Sequence, residues 1–205
     1  MEHGADMTID QFNAIDRRID QLFLAAANEP FVESTLRPLH TIFRRIGWIY
    51  HMPPSLPALA DTDDDTFDRL FAVNVKGTFN TLREAATRLQ AGGRIVNFST
   101  SVIGLALPGY AVYGATKSAV ETFTNIMAKE LRGKNIRINA IAPGPTATAL
   151  FLNGKTPETV ERMSRMAPLE RLGTPEDIAS AVAFLVSENS AWVNGQTLRA
   201  NGGVV

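Results

Sequence analysis

The 205-residue chain contains no cysteine, which excludes disulfides, thiolate metal sites and cysteine nucleophiles. Its three histidines, His3, His40 and His51, are scattered without ligand spacing, so no metal site is expected. Neither sign of charge dominates: 20 Lys and Arg stand against 21 Asp and Glu. No basic stripe marks a nucleic-acid partner. No apolar run reaches membrane-spanning length, and the opening Met-Glu-His-Gly-Ala-Asp lacks the basic start of a secretory signal. A soluble, cytoplasmic protein with no membrane partner is the expectation. Glycine is scarce early: the first 76 residues carry only Gly4 and Gly47.

What is present is an ordinary globular composition, 45% apolar and 20% charged, in a chain long enough for one domain with a sizeable core. The spacing of Ile9, Phe12, Ile15, Ile19, Leu22, Phe23 and Ala26 predicts an amphipathic helix over 8–27, capped by Thr8 and closed by Pro30. Residues 31–60 carry four prolines and no clean period, which predicts irregular chain. The character changes at Thr62. Acids at 63–65 favour a helix start, and a helical period runs from Thr66 to Gln90, ending at Gly92-Gly93. Asn74 and Gly77 sit inside it as poor helix formers, so the Asn74 side chain is expected to have a task. A buried strand follows at 94–98, then a helix through Tyr113 ending near Gly133, an alternating strand at 136–141, and a turn at 142–148. A short helix at 157–166, a helix opened by Thr174 and Pro175, and a strand-like 195–200 complete the order. Strand and helix alternate from residue 62, the pattern of a parallel sheet with helical crossovers.

The stretch from Ser101 to Lys117 carries the chemistry. Tyr113 and Lys117 stand one turn apart and share a helix face. An ammonium beside a phenol favours the ionised phenol and lowers its pKa. Tyr113 is thus a candidate general acid/base, with a serine hydroxyl supplied by the preceding loop. Alone, such a pair more often marks a half-buried ring beside a snorkelling lysine.

The string of motifs is more specific. Phe71-Ala-Val-Asn-Val75, Arg94-Ile-Val-Asn-Phe-Ser-Thr-Ser101, Tyr113-Gly-Ala-Thr-Lys117, Ala142-Pro-Gly-Pro-Thr-Ala-Thr148, Arg171-Leu-Gly-Thr-Pro-Glu-Asp-Ile178 and Gly195-Gln-Thr-Leu-Arg-Ala-Asn-Gly-Gly203 follow one another. Across residues 62–203 the chain resembles the short-chain dehydrogenase/reductase family. The resemblance implies an α/β, Rossmann-like parallel sheet with flanking helices, N-terminally truncated or divergent. Residues 1–60 would be a divergent segment and 61–205 the catalytic part. It implies hydride transfer between NAD or NADP and a carbonyl or alcohol substrate. Tyr113 would move the proton. Lys117 would lower its pKa and hold the nicotinamide ribose. Ser101 would bond the substrate oxygen, and Asn74 would hold a relay water. Pro143, Gly144, Thr146 and Thr148 would approach the nicotinamide, Thr148 at its carboxamide. Ser101 precedes Tyr113 by 12 residues, one fewer than in many members, which makes Ser99 a rival. The Val-Ile-Gly after Ser101 favours Ser101, whereas Ser99 reads better as a strand-end hydroxyl bonding its own backbone. Family members pair through helices corresponding to 66–91 and 112–132, so a homodimer or homotetramer is expected.

The departure lies at the start. The family opens with a strand, a Gly-rich turn and a helix whose N-terminus binds pyrophosphate. With two glycines before residue 77, no Gly-x-x-x-Gly-x-Gly turn stands there. Two alternatives to a working reductase therefore stay open: a non-catalytic interaction or dimerisation module, and an incomplete gene product.

Overall fold

The computed structural model describes residues 57–205; the helix expected at 8–27 and most of the segment at 31–60 lie outside the described residues. After a single turn at Leu59–Asp61, α1 (Asp64–Phe71) passes through a π-helical segment (Ala72–Lys76) into α2 (Gly77–Arg88). Strand β1 (Arg94–Phe98) leads through α3 (Val102–Leu105) to the long α4 (Ala111–Glu130). Strand β2 (Arg137–Pro143) is followed by α5 (Ala149–Leu152), α6 (Pro157–Met166) and α7 (Pro175–Val186). A turn at Glu188–Ser190 precedes β3 (Thr197–Ala200). The strands pair β1-β2-β3, all parallel, with Arg94 opposite Arg137 and Ala140 opposite Thr197.

Local chemistry sets the helix ends. Asp63 caps α1 by accepting from the Thr66 N–H at 2.6 Å. Thr174 and Asp177 form a capping box with Pro175 at the first helical position. Such caps are worth about 1 kcal/mol each. The helix expected over 66–90 stops at Arg88 because Leu89 is already extended and Gly92 turns with φ 90°. The helix expected to end near Gly133 stops at Glu130, the chain turning through Leu131 to Gly133.

Strand β2 is the centre. Residues 137–142 are buried, although the alternation of 136–141 suggests one buried face. The physical reason is cover on both sides, as in other parallel sheets. On one face Ile138 packs with Leu82, Met127, Leu131 and Ile136; on the other Ile141 packs with Ile178 and Leu185. Truncating Ile138, which has no exposed surface, to alanine would cost about 2–5 kcal/mol. The buried polar Asn139 is satisfied, donating to the Val193 carbonyl at 2.9 Å and accepting from the Gln196 N–H at 3.0 Å.

Candidate active site

The carboxyl ends of three parallel strands meet in one place, where α/β sheets hold their ligands. Backbone pairing continues past β1: the Ser99 N–H donates to the Ile141 carbonyl at 2.7 Å and the Ser101 N–H to the Pro143 carbonyl at 2.9 Å. The Gly144 N–H donates to the Ala200 carbonyl at 3.0 Å. The segment Ser99–Ser101 is therefore pinned, and α4 lies over it.

Helix α4 presents Tyr113 and Lys117 on one face, as the spacing requires. The Lys117 ammonium lies 5.8 Å from the Tyr113 ring centroid and donates to the Phe98 carbonyl at 3.1 Å. Among the described residues it has no carboxylate partner. Burial pulls its pKa down to about 8. Burial also pushes the Tyr113 phenol up to about 12; the Thr100 side chain, hydrogen-bonding the phenol, pulls the other way, and Tyr110 adds to the rise. The phenol thus sits above its ordinary value, opposite to the direction expected from the sequence. The reason is physical: burial disfavours the charged phenolate.

Asn74 lies at the middle of the π-helical segment and is buried. Its side-chain amide donates to the Thr116 hydroxyl at 3.1 Å, and Thr116 donates to the Tyr113 carbonyl at 2.7 Å. The wide turn in the first long helix is thereby registered against the first turn of α4. Single π-turns recur at functional sites. The Asn74 side chain thus makes a cross-helix tie.

The hydroxyls after β1 are sorted by their partners. Ser99 donates to the Glu121 carboxylate at 2.5 Å, rather than to its own backbone. Ser101, 1% exposed, donates to the Ala142 carbonyl at 3.0 Å and accepts from the Asn201 amide at 2.9 Å. Thr100, between them, accepts from the Val102 N–H at 3.3 Å, and its side chain lowers the phenol pKa against the effect of burial. Thr100 stands 13 residues before Tyr113. That spacing is the signal in the sequence that marks it.

Pro143 ends β2 and Gly144 follows at a contact only glycine can make. A Cβ there would lie 2.7 Å from the Asn201 Cβ and 2.8 Å from its Cα. Thr146 turns back, donating to the Gly144 carbonyl at 2.9 Å, and bridges Gly173. Thr148 caps α5, its hydroxyl accepting from the Phe151 N–H at 3.1 Å. Asn74, Tyr113 and Lys117 are therefore brought together near Thr100, and the turn that begins at Pro143 is joined to the same segment by the bond from the Ser101 N–H to the Pro143 carbonyl.

Known proteins are similar to this chain in sequence and fold. The family described as Enoyl-(Acyl carrier protein) reductase matches residues 18–205. A "Short-chain type dehydrogenase/reductase" of Picea abies is 46% identical over 175 residues, covering 84% of this chain and 64% of its own. An "NADPH-dependent aldehyde reductase-like protein, chloroplastic" of Arabidopsis thaliana is 43% identical, covering 82% of this chain and 62% of its own. Among solved structures, the angucycline C-6 ketoreductase LanV with bound NADP superposes with a TM-score of 0.69 at 32% identity. That match covers 76% of this chain and 60% of LanV. The chain spans less than two thirds of the length of these relatives.

Proposed function

The chain belongs to the short-chain dehydrogenase/reductase family, and from that premise we propose that it reduces a small carbonyl compound, or oxidises the corresponding alcohol, with a nicotinamide cofactor. Residues 61–205 form the catalytic part in this reading. One observation carries it: Tyr113 and Lys117 lie side by side and partly buried at the strand ends, the ammonium 5.8 Å from the ring centroid, beside the pinned segment that carries Thr100.

The residues present fit the nicotinamide end of such a cofactor. Lys117 has an ammonium with donors beyond the one used on Phe98, suited to ribose hydroxyls. Asn74 fixes the helix turn facing them, and Pro143, Gly144, Thr146 and Thr148 line the approach to the ring. The family's phosphate-binding turn has no counterpart in the first 76 residues. NADP is favoured over NAD by the likeness to an NADPH-dependent relative and to an NADP-bound structure. When bound, the cofactor supplies the hydride.

The chain's own residues handle the proton. With its pKa at about 12, Tyr113 rests as the neutral acid and donates its proton to the carbonyl oxygen as negative charge develops there. With substrate in place, Thr100 turns its single hydroxyl proton from the phenol to the same carbonyl oxygen and fixes its position. Lys117, charged below pH of about 8, stabilises the phenolate left behind. In the oxidative direction the phenolate takes the alcohol proton.

The two helical stretches expected to pair, 66–91 (the continuous α1 through α2) and 112–132 (α4), are the proposed contacts between copies in a homodimer or homotetramer, supported by the exposed Phe67, Phe79 and Ile126. No described helix is long and apolar enough to cross a membrane; a cytoplasmic site of action is our reading. The experiment is a fluorescence titration with NADPH and NADH. We expect saturable NADPH binding below millimolar concentration, together with turnover of an aldehyde or ketone. Failure to bind either cofactor would overturn the reading in favour of an interaction module.

A further inference from the structure

We propose that Asn201 is a positioning residue for this reaction, holding through Ser101 the turn that carries Thr100; the inference rests on the reductase reading above. A serine hydroxyl has one proton to give. Ser101 gives it to the Ala142 carbonyl at 3.0 Å and receives the Asn201 amide at 2.9 Å. At 1% exposure its hydroxyl has neither a proton nor a path to a substrate oxygen. It anchors the chain instead, one residue beyond Thr100.

Asn201 is placed to use that anchor. It follows β3, and its Cβ lies so close to Gly144 that no other residue fits there. Its carbonyl oxygen accepts from the Gly203 N–H at 3.0 Å, which fixes the amide orientation toward Ser101. One side chain thus joins the exits of all three strands: Ser101 after β1, Gly144 after β2 and its own backbone after β3. The following segment tightens the same region. Val205 packs on Gly104, where a Cβ would meet its side chain at 3.0 Å, and its carbonyl lies 3.4 Å from the Asn201 amide. Within α3, the Gly104 and Leu105 N–H groups both donate to the Ser101 carbonyl, at 3.1 and 3.0 Å. Releasing Ser101 therefore loosens the turn that presents Thr100.

The test compares the full chain with Asn201→Ala, Ser101→Ala and the double variant, by hydrogen–deuterium exchange and by pH profiles of alcohol oxidation with NADP. Each single variant should speed exchange over residues 99–106 by about tenfold or more relative to α6. Each should lower kcat by about tenfold with KM held within about threefold, and the double should add little to either. The limb that requires ionised Tyr113 should move to higher pH, because Thr100 no longer lowers the phenol pKa. Unchanged exchange over 99–106 would overturn the proposal. So would a kcat loss that tracks only the fraction of folded protein and leaves the pH limb in place. If the unmodified chain neither binds NADPH nor turns over, the reductase reading fails separately, and the exchange comparison still decides the tie.

Discussion

The two ends of the sheet handle buried charge in opposite ways. At the end where the strands begin, Arg94 and Arg137 are register partners on adjacent strands. Arg94 is held by Glu188 at 2.9 Å and by the Gly92 and Gly93 carbonyls; Arg137 donates to the Ser187 carbonyl at 2.7 Å. Both Nε atoms are buried without a partner. Burial and the neighbouring Arg94 push the Arg137 pKa down, with Glu188 opposing them. At the end where the strands finish, Lys117 is partly buried with a backbone carbonyl and, among the described residues, no carboxylate. The first arrangement spends its charges on fixing two loops. The second keeps a cation in reserve beside a phenol, a poor use of charge for stability and a good one for chemistry.

Variants at the two ends should separate these roles. The largest effect is expected from Thr100→Val, which keeps the shape and removes the hydroxyl. Turnover should fall by about 10–100-fold, Thr100→Ser should recover most of it, and comparable loss in both would break the assignment. Next comes pH. The Lys117 pKa is depressed, so its charge is present below about 8 and lost above it. Carbonyl reduction should therefore hold up to about pH 8 and then fall by up to tenfold per unit. Lys117→Arg, charged throughout, should lack that limb, and its persistence would assign the limb elsewhere. The smallest effect belongs to the opposite end. Glu188→Gln removes the acid from Arg94 but leaves the carbonyl contacts, and the Glu188 side chain is 82% exposed. Denaturant unfolding should show a loss of about 1 kcal/mol or less, with kcat unchanged; a drop in kcat would mean the two ends are coupled.

The elements with strong periods were legible in the sequence. Strand β1 falls at 94–98 and α6 at 157–166 as expected, and the Thr174–Pro175 start is where its cap residues put it. The four-residue helices α3 and α5 were not legible, since one turn leaves no period to detect. The burial of β2 on both faces came from what covers it, not from its own alternation. In the site, Tyr113, Lys117 and Asn74 follow from spacing and from an asparagine set among apolar neighbours. Thr100 and Asn201 do not, because their roles depend on which hydroxyl the fold turns toward the phenol and which toward the core. The upward shift of the phenol likewise depends on burial, which a pair spacing does not encode.

The most direct test of the central claim is a steady-state comparison of Tyr113→Phe with the unmodified chain, using NADPH and an aldehyde substrate, alongside cofactor titration. Removal of the one acidic proton should lower kcat by about 10²–10⁴-fold, with NADPH affinity and melting temperature held close to those of the unmodified chain. Turnover within a few-fold of the unmodified chain would show that the proton comes from another group and would contradict the account.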